Sequence, residues 1–344
     1  MKSAARLICL LATVAAAAAT AEPTRTFIDF DQLNGWETDD HAAALSAFRE
    51  SCGAISQDGW DGVCAMAQTA PDAREFFERL FQPVLIEDGG TPLFTGYFEP
   101  EIDGSLNRTS RYRFPIYRIP PEMPRGTVWL SRQEIEETGV LEGRGLEIAW
   151  LSDPVDRYFM QVQGSGRIRL PDGQVLRVGF AAKNGHSYAS IGRALIESGT
   201  FGAHQASAAA IRNWAQRYPE QGRVAMWANP SYVFFQVISD IDHDEGPLGA
   251  MLRPLHAERS IAVDDDAVTL GAPVWLEKAG AAPLNRLMVA QDTGSAINGA
   301  QRADIFYGSG VEAGRRAAAV RDQGRMIVLL PNALAFTLLA EVQQ

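Results

Sequence analysis

Apolar positions along the chain change period several times, and each change predicts a different element. Spacings of three and four run through "DDHAAALSAFRESCGAI" (39–55) and "PDAREFFERLFQPVLI" (71–86). The first predicts a helix starting on Asp39 or Asp40, the second a helix with Pro71 near its first turn. After "EDGGTP" the period falls to two, predicting strands over 93–102, 112–119, 146–151, 158–170 and 174–182. Pro171-Asp172-Gly173 is the turn between the last two. Three helices interrupt them: 131–139, where Ser131 and Glu134 stand at capping-box spacing and Gly139 ends the run, then 187–199 and 203–218. Strands return at 232–238, 260–263, 273–277, 286–291, 303–307 and 325–331. The C-terminal apolar run is broken by Pro331-Asn332, so it reads as a buried strand and a short helix, not a membrane span. Many short strands with turn-rich links predict a mainly β fold, a barrel with added helices.

The first twenty-one residues follow another rule. Lys2 and Arg6 precede an apolar run, Leu7 to Ala19, and Ala19-Thr20-Ala21 offers a small-x-small cleavage site. This pattern predicts a signal peptide over 1–21 and an exported protein. Cys9 lies inside the apolar run, which disfavours a lipid anchor. Beyond it stand only Cys52 and Cys64, for which a disulfide in an oxidising compartment and two buried thiols are the two readings. Net charge is −11, which makes nucleic acid a poor partner. The charge is uneven: residues 104–237 hold sixteen Lys and Arg against eleven Asp and Glu, while the remainder is strongly acidic. Two bodies with different roles are expected.

Several chemistries find no support. The five histidines are scattered and neither HExxH nor CxxC occurs, so no metal or other cofactor is expected. The acidic "DHDEG" (242–246) reads as a polar turn. "GSGRIR" and "GSGVEAG" lack a third glycine and read as strand-end turns. Carboxylates remain. Asp292-Thr293-Gly294 spells an aspartic-protease turn, but such enzymes share a proton between two of these turns and no second one is present. Asp304 stands in the apolar stretch "RADIFYG", where alternation points it with Phe306 away from Ala303, Ile305 and Tyr307. An acid beside aromatic walls is desolvated and holds its proton, as a general acid must. Capping a turn, or pairing with Arg302 or Arg315, is the alternative reading.

"FTGYFEPEIDGS", "FPIYRIP", "QVQGSGRIRLPDGQVLRVGFAAKNGHSYASIGRALIESG", "NPSYVFF", "GPLGAMLRPLHAERSIAVD" and "DTGSAINGAQRADIFYGSG" together resemble the membrane-bound lytic murein transglycosylase A family, from about Leu85 to Pro331. The C-terminal part resembles the three-aspartate (3D) domain, with Asp264, Asp292 and Asp304 at its acids.

The resemblance implies a double-psi β-barrel from 22–103 and 238–344, an inserted β-barrel-like domain over 104–237, and a glycan groove between them. It implies cleavage of the β-1,4 bond between N-acetylmuramic acid and N-acetylglucosamine in peptidoglycan, ending in a 1,6-anhydro sugar. One acid can suffice, because the sugar's own C6 hydroxyl replaces water and no protein nucleophile is needed. Asp304 would be that acid and base, with Asp292 and Asp264 in support or in structural roles. Thr95, Gly96 and Tyr97 would line the groove from one side, Gly96 by letting a sugar approach and Tyr97 by stacking. Gln163, Gly164, Ser165, Asn184 and Tyr188 would line it from the insert. Lys183, Arg167 and Arg177 are candidates for meeting substrate carboxylates. The expected partners are peptidoglycan strands and other cell-wall synthesis or hydrolysis proteins, with the protein itself a periplasmic monomer. Lipoprotein members carry a cysteine at the cleavage site and this signal does not, so outer-membrane attachment stays open. A non-catalytic glycan-binding protein on the same fold and an aspartic protease are the competing functions.

Overall fold

The computed structural model describes residues 23–239, 241, 242 and 244–342; the predicted signal segment, with Cys9, lies outside the described residues. A strand, β1 (Thr24–Phe27), precedes helices α1 (His41–Cys52), α2 (Asp61–Ala67) and α3 (Ala73–Leu80), which lead into β2 (Phe81–Glu87) and β3 (Leu93–Glu99). Asp40 caps α1 by accepting from the Ala43 N–H, and Asp72 caps α3 through Glu75. The expected helix over 71–86 stops at Leu80. Pro83 has no N–H to donate, and the residues around it pair with both β1 and a later strand instead. Cys52 and Cys64 are disulfide-bonded, with Cα atoms 5.4 Å apart, tying the end of α1 to α2.

A second sheet then begins. It contains β4 (Glu101–Ser105), β5 (Phe114–Tyr117), β6 (Glu147–Leu151), β7 (Gly166–Arg169), β8 (Val175–Lys183) and β9 (Val233–Ile238), in the order β5-β6-β4-β7-β8-β9. Its helices are α4 (Arg132–Thr138), α5 (Pro154–Gln163), α6 (Ile191–Glu197), α7 (Ala208–Arg217) and α8 (Pro219–Trp227). The expected strand over 158–170 divides in two. Asp153 accepts from the Val155 N–H, Pro154 supplies a preset φ at the first helical position, and Gly164 at φ 81° ends the turn, so 154–163 is helical. Val155 and Tyr158 bury the face that alternation had suggested was a strand. The expected helix over 203–218 starts later, at Ala208, and ends before Pro219, which opens α8.

The chain returns to the first sheet with β10 (Ser260–Val263), β11 (Pro273–Lys278), β12 (Leu284–Thr293), β13 (Arg302–Ser309), β14 (Arg321–Asp322) and β15 (Gly324–Pro331), joined by α9 (Gly310–Ala318) and closed by α10 (Asn332–Val342). The order is β1-β2-β15-β11-β12-β10-β13-β3-β14. Two pairs, β10 with β12 and β13 with β3, are parallel; the second, together with β15 against β2, knits the N-terminal and C-terminal pieces into the double-psi β-barrel. "GSGVEAG" is a strand-to-helix junction, since Gly310 opens α9. One core joins the barrel to its N-terminal helices and contains Trp36, Trp60, Trp275, Phe48, Phe77 and Phe94, with the Trp36 and Trp275 rings 5.1 Å apart. The second sheet has its own core around Ile116, Ile148, Leu151, Ile168 and Phe235.

Candidate active site

Strand register assembles the site. Ala262 on β10 lies opposite Asp292 on β12 and, on its other side, opposite Asp304 on β13; Asp304 in turn lies opposite Thr95 on β3. Residues in one register row point to one face of a sheet, so four neighbouring strands present Asp292, Ala262, Asp304 and Thr95 together. Ala262, with only a methyl group, leaves open space between the two acids.

That face floors a groove of about 740 Å³. The barrel side is lined by Tyr97, Leu248, Ala250, Asp292 to Ile297, Arg302 and Asp304. The facing wall comes from the second sheet and its helices, with Val162, Gln163, Gly164, Ser165, Phe180, Lys183 and Tyr188. Gln163 Oε1 accepts from the Phe98 N–H at 3.0 Å, and Lys183 Nζ donates to Ser295 Oγ at 2.9 Å, so contacts cross between the walls. A smaller cavity of about 440 Å³, lined in part by Arg167, Glu245, His256 and Phe306, contains none of the three aspartates.

The two acids differ in their donors. Asp292 Oδ2 accepts from the Tyr97 hydroxyl at 2.9 Å, and Oδ1 from the N–H groups of Ala250 and Thr293, both at 2.9 Å. Asp304 accepts one hydrogen bond, from Thr95 Oγ1 to Oδ1 at 2.6 Å, and its Oδ2 has no protein partner among the described residues. Burial raises the Asp292 carboxyl to about 6, against the pull of its three donors and with a further lift from Asp304. Burial raises Asp304 as well, opposed by the Thr95 hydroxyl and by the charge of Arg302. Two carboxyls in one groove disfavour joint ionisation, and the better-solvated partner ionises first. With three donors to one, the ionised form is better supported at Asp292 than at Asp304. Tyr97, raised well above its ordinary value by burial and by both acids, remains a donor. Among the described residues no hydrogen bond joins the two carboxyls, unlike a protease dyad sharing one proton.

Two family models match the chain. Residues 93–236 match the MltA specific insert domain and residues 259–330 match the 3D domain. The membrane-bound lytic murein transglycosylase A of Escherichia coli is 36% identical over 267 residues, spanning 74% of this chain and 70% of that one. The chain belongs to the membrane-bound lytic murein transglycosylase A family. Among solved structures, a membrane-bound lytic murein transglycosylase from Agrobacterium tumefaciens is similar at a TM-score of 0.83 and 33% identity, covering 91% of this chain and 99% of that one. Escherichia coli MltA with bound chitohexaose is similar at 0.71 and 29%, covering 89% and 94%.

Among the residues that the family resemblance singles out, Tyr97 lines the groove, while several others turn to the protein. Gly96 faces away from the groove. A Cβ there would stand 2.8 Å from the Ala317 Cα and carbonyl oxygen, so glycine admits helix α9, not a sugar. Asn184 is 1% exposed, and its amide is spent on the Leu130 and Pro230 carbonyls and the Tyr232 N–H; it shapes the loop behind the wall. Asp264 lies outside the groove lining and accepts from Gly299 and Asp266 N–H, clasping the loop that follows Asp292. Tyr97 is committed by its hydroxyl to Asp292 and by its ring to Phe306 at 5.3 Å. Arg167 and Arg177 are buried around Glu99, which is itself 1% exposed, and so do not meet substrate. Arg302 reaches Thr95, not Asp304. Missed in the sequence were Ala262, legible only through register, and Phe180, a half-exposed ring on a groove-lining strand.

No helix among the described residues is long and apolar enough to cross a membrane. Nor does any group of three or more His, Cys, Asp or Glu among them stand where it could hold a metal ion.

Proposed function

We propose that this protein is a peptidoglycan lytic transglycosylase in which Asp304 acts as both acid and base. The glycan lies along the groove between the barrel and the 104–237 insert, with the bond between N-acetylmuramic acid and N-acetylglucosamine over Asp304. Asp304 gives its proton to the glycosidic oxygen as the C1–O bond breaks, and positive charge develops on the muramic acid ring. Asp292, ionised and fixed by three donors, stabilises that charge across the gap left by Ala262. Its oxygens are occupied by protein donors, which disfavours it as a nucleophile. The C6 hydroxyl then attacks C1 and returns its proton to Asp304, closing the 1,6-anhydro ring without water. The observation that carries the reading is the pair of unequal carboxyls in one register row on the groove floor. The test is mass spectrometry of digested sacculi. Anhydro ends are expected, and Asp304→Asn should lower turnover by roughly 10²–10⁴ while glycan binding persists. Hydrated reducing ends, or undiminished turnover in the variant, would overturn it.

Lys183 belongs to the same proposal. Exposed on the insert wall and donating to the Ser295 hydroxyl, it can exchange Ser295 for the lactyl or stem-peptide carboxylate of a muramic acid unit. In an Asp304→Asn background, Lys183→Gln should weaken binding of carboxylate-bearing glycan strands by about tenfold while leaving uncharged chitohexaose unaffected. Equal losses for both ligands would remove Lys183 from recognition. The pattern at 1–21 supports a periplasmic location, where such strands are found.

A further inference from the structure

Arg302 stands two residues before Asp304 on β13, so alternation brings its side chain to the same face, and it lines the groove. Its Nη1 donates to the Leu93 carbonyl at 3.2 Å and to its neighbour's, Ala303; its Nη2 donates to Thr95 Oγ1 at 2.8 Å. A guanidinium has five N–H donors and no acceptor, whereas a threonine hydroxyl has one hydrogen to give. Thr95 Oγ1 must therefore accept from Arg302, and its own hydrogen is directed to Asp304 Oδ1, 2.6 Å away. Oδ1 then acts as an acceptor, and the acid's proton sits on Oδ2, the oxygen without a protein partner among the described residues.

We propose that Arg302 is a positioning residue of the reaction: by fixing the direction of the Thr95 hydroxyl, it keeps the Asp304 proton on the oxygen that faces the glycan. Without the guanidinium, Thr95 Oγ1 becomes free to accept, and the neutral Asp304 donates its proton into the protein instead of to the leaving oxygen. This rests on the acid role proposed above for Asp304. The charge of Arg302 has a second consequence, because it favours the ionised form of Asp304. The other titratable and charged groups around Asp304 are Tyr97 on β3, Asp292 on β12, Tyr307 on β13 and Arg321 on β14, whose charge reaches Arg302. Strand β10, reading Ser-Ile-Ala-Val, adds none.

The experiment is a double-mutant cycle on purified peptidoglycan, with Arg302→Gln, Thr95→Val and the pair, read as kcat, KM and a pH profile. Arg302→Gln is expected to lower kcat by about tenfold or more at nearly constant KM. Its alkaline limb should move to higher pH, since an acid that has lost a neighbouring cation holds its proton longer. The double variant should be no slower than Arg302→Gln, because the hydroxyl that captures the proton is gone. Arg302→Lys, also a pure donor, should recover part of kcat, and thermal unfolding of each variant reports on folding. A rise in KM alone, or additive losses with an unmoved pH limb, would overturn the proposal. If Asp304→Asn retains full turnover, the acid role itself has failed; if it is inactive while the cycle is additive, only the role of Arg302 has.

Discussion

Tyr97 gives Asp292 a hydrogen bond that only the ionised carboxylate can fully use, so it holds that acid below where burial alone would leave it. Tyr97→Phe should therefore raise the Asp292 pKa from its value of about 6. Because the proposed stabiliser must be ionised, the acidic limb of the pH–rate profile should move upward, with a loss of about tenfold at pH 6 and less at pH 8. A profile that falls uniformly would show that the hydroxyl does not act through Asp292. At this scale the sequence was legible where chemistry shows locally. An acid inside an apolar alternating strand marks Asp304, and a tripeptide marks Asp292. Ala262 and the Arg302–Thr95 link could not be read, because strand register between residues 30 (262 and 292) to 209 (95 and 304) positions apart creates them, and no local pattern states register. Gly96 was misread for the same reason. Its spelling asks for close approach, but only the fold says that a helix makes it.

Helices with side-chain caps were read well: Ser131 with Glu134 forms the expected box, and Gly139 ends α4 at φ 62°. The misreadings fall on residues 81–86 and 158–163, where a short apolar run suits either period and tertiary pairing decides. For β2 the deciding partner is β15, far along the chain; for α5 a local signal, Asp153-Pro154, was available and outweighed by alternation. The arginines of β7 and β8 show an element-level effect of their own. Arg167 and Arg177 are cross-strand partners and share one face, but that face is covered by Glu99 at the end of β3, 2.7 Å from Arg167 and 3.4 Å from Arg177. Ser309 Oγ adds a donor at 2.6 Å. The cluster fastens the insert sheet to the barrel beside the groove. Glu99→Gln would remove the buried carboxylate that both guanidinium groups share, and should cost about 3–5 kcal/mol in urea unfolding. A loss below about 1 kcal/mol would mean that the arginines find water and that the cluster is not what holds the walls in place.

Across the whole molecule, stability and the proposed activity pull in opposite directions at the groove floor. A fold that places two carboxyls in one groove does so against solvation, and the sign of the cost can be worked out. The Asp292 pKa is about 6 in the folded protein against an ordinary 3.8, so the folded state binds this proton more tightly than the unfolded chain. Its contribution is therefore full below pH 3.8 and is lost as pH rises through 6. Two pKa units correspond to roughly 3 kcal/mol, an upper figure for a group that still meets solvent through the groove. Asn cannot titrate, yet its carbonyl can accept from Ala250 and Thr293 and its amide can donate to the Tyr97 oxygen. Asp292→Asn should thus gain stability relative to the parent as pH rises from 4 to 7, by on the order of 2 kcal/mol, while losing turnover. Urea unfolding at several pH values, with the disulfide intact in both proteins, measures the difference directly. A gap that stays constant with pH would mean that Asp292 is not held against its ionisation, and that the groove stores no such cost.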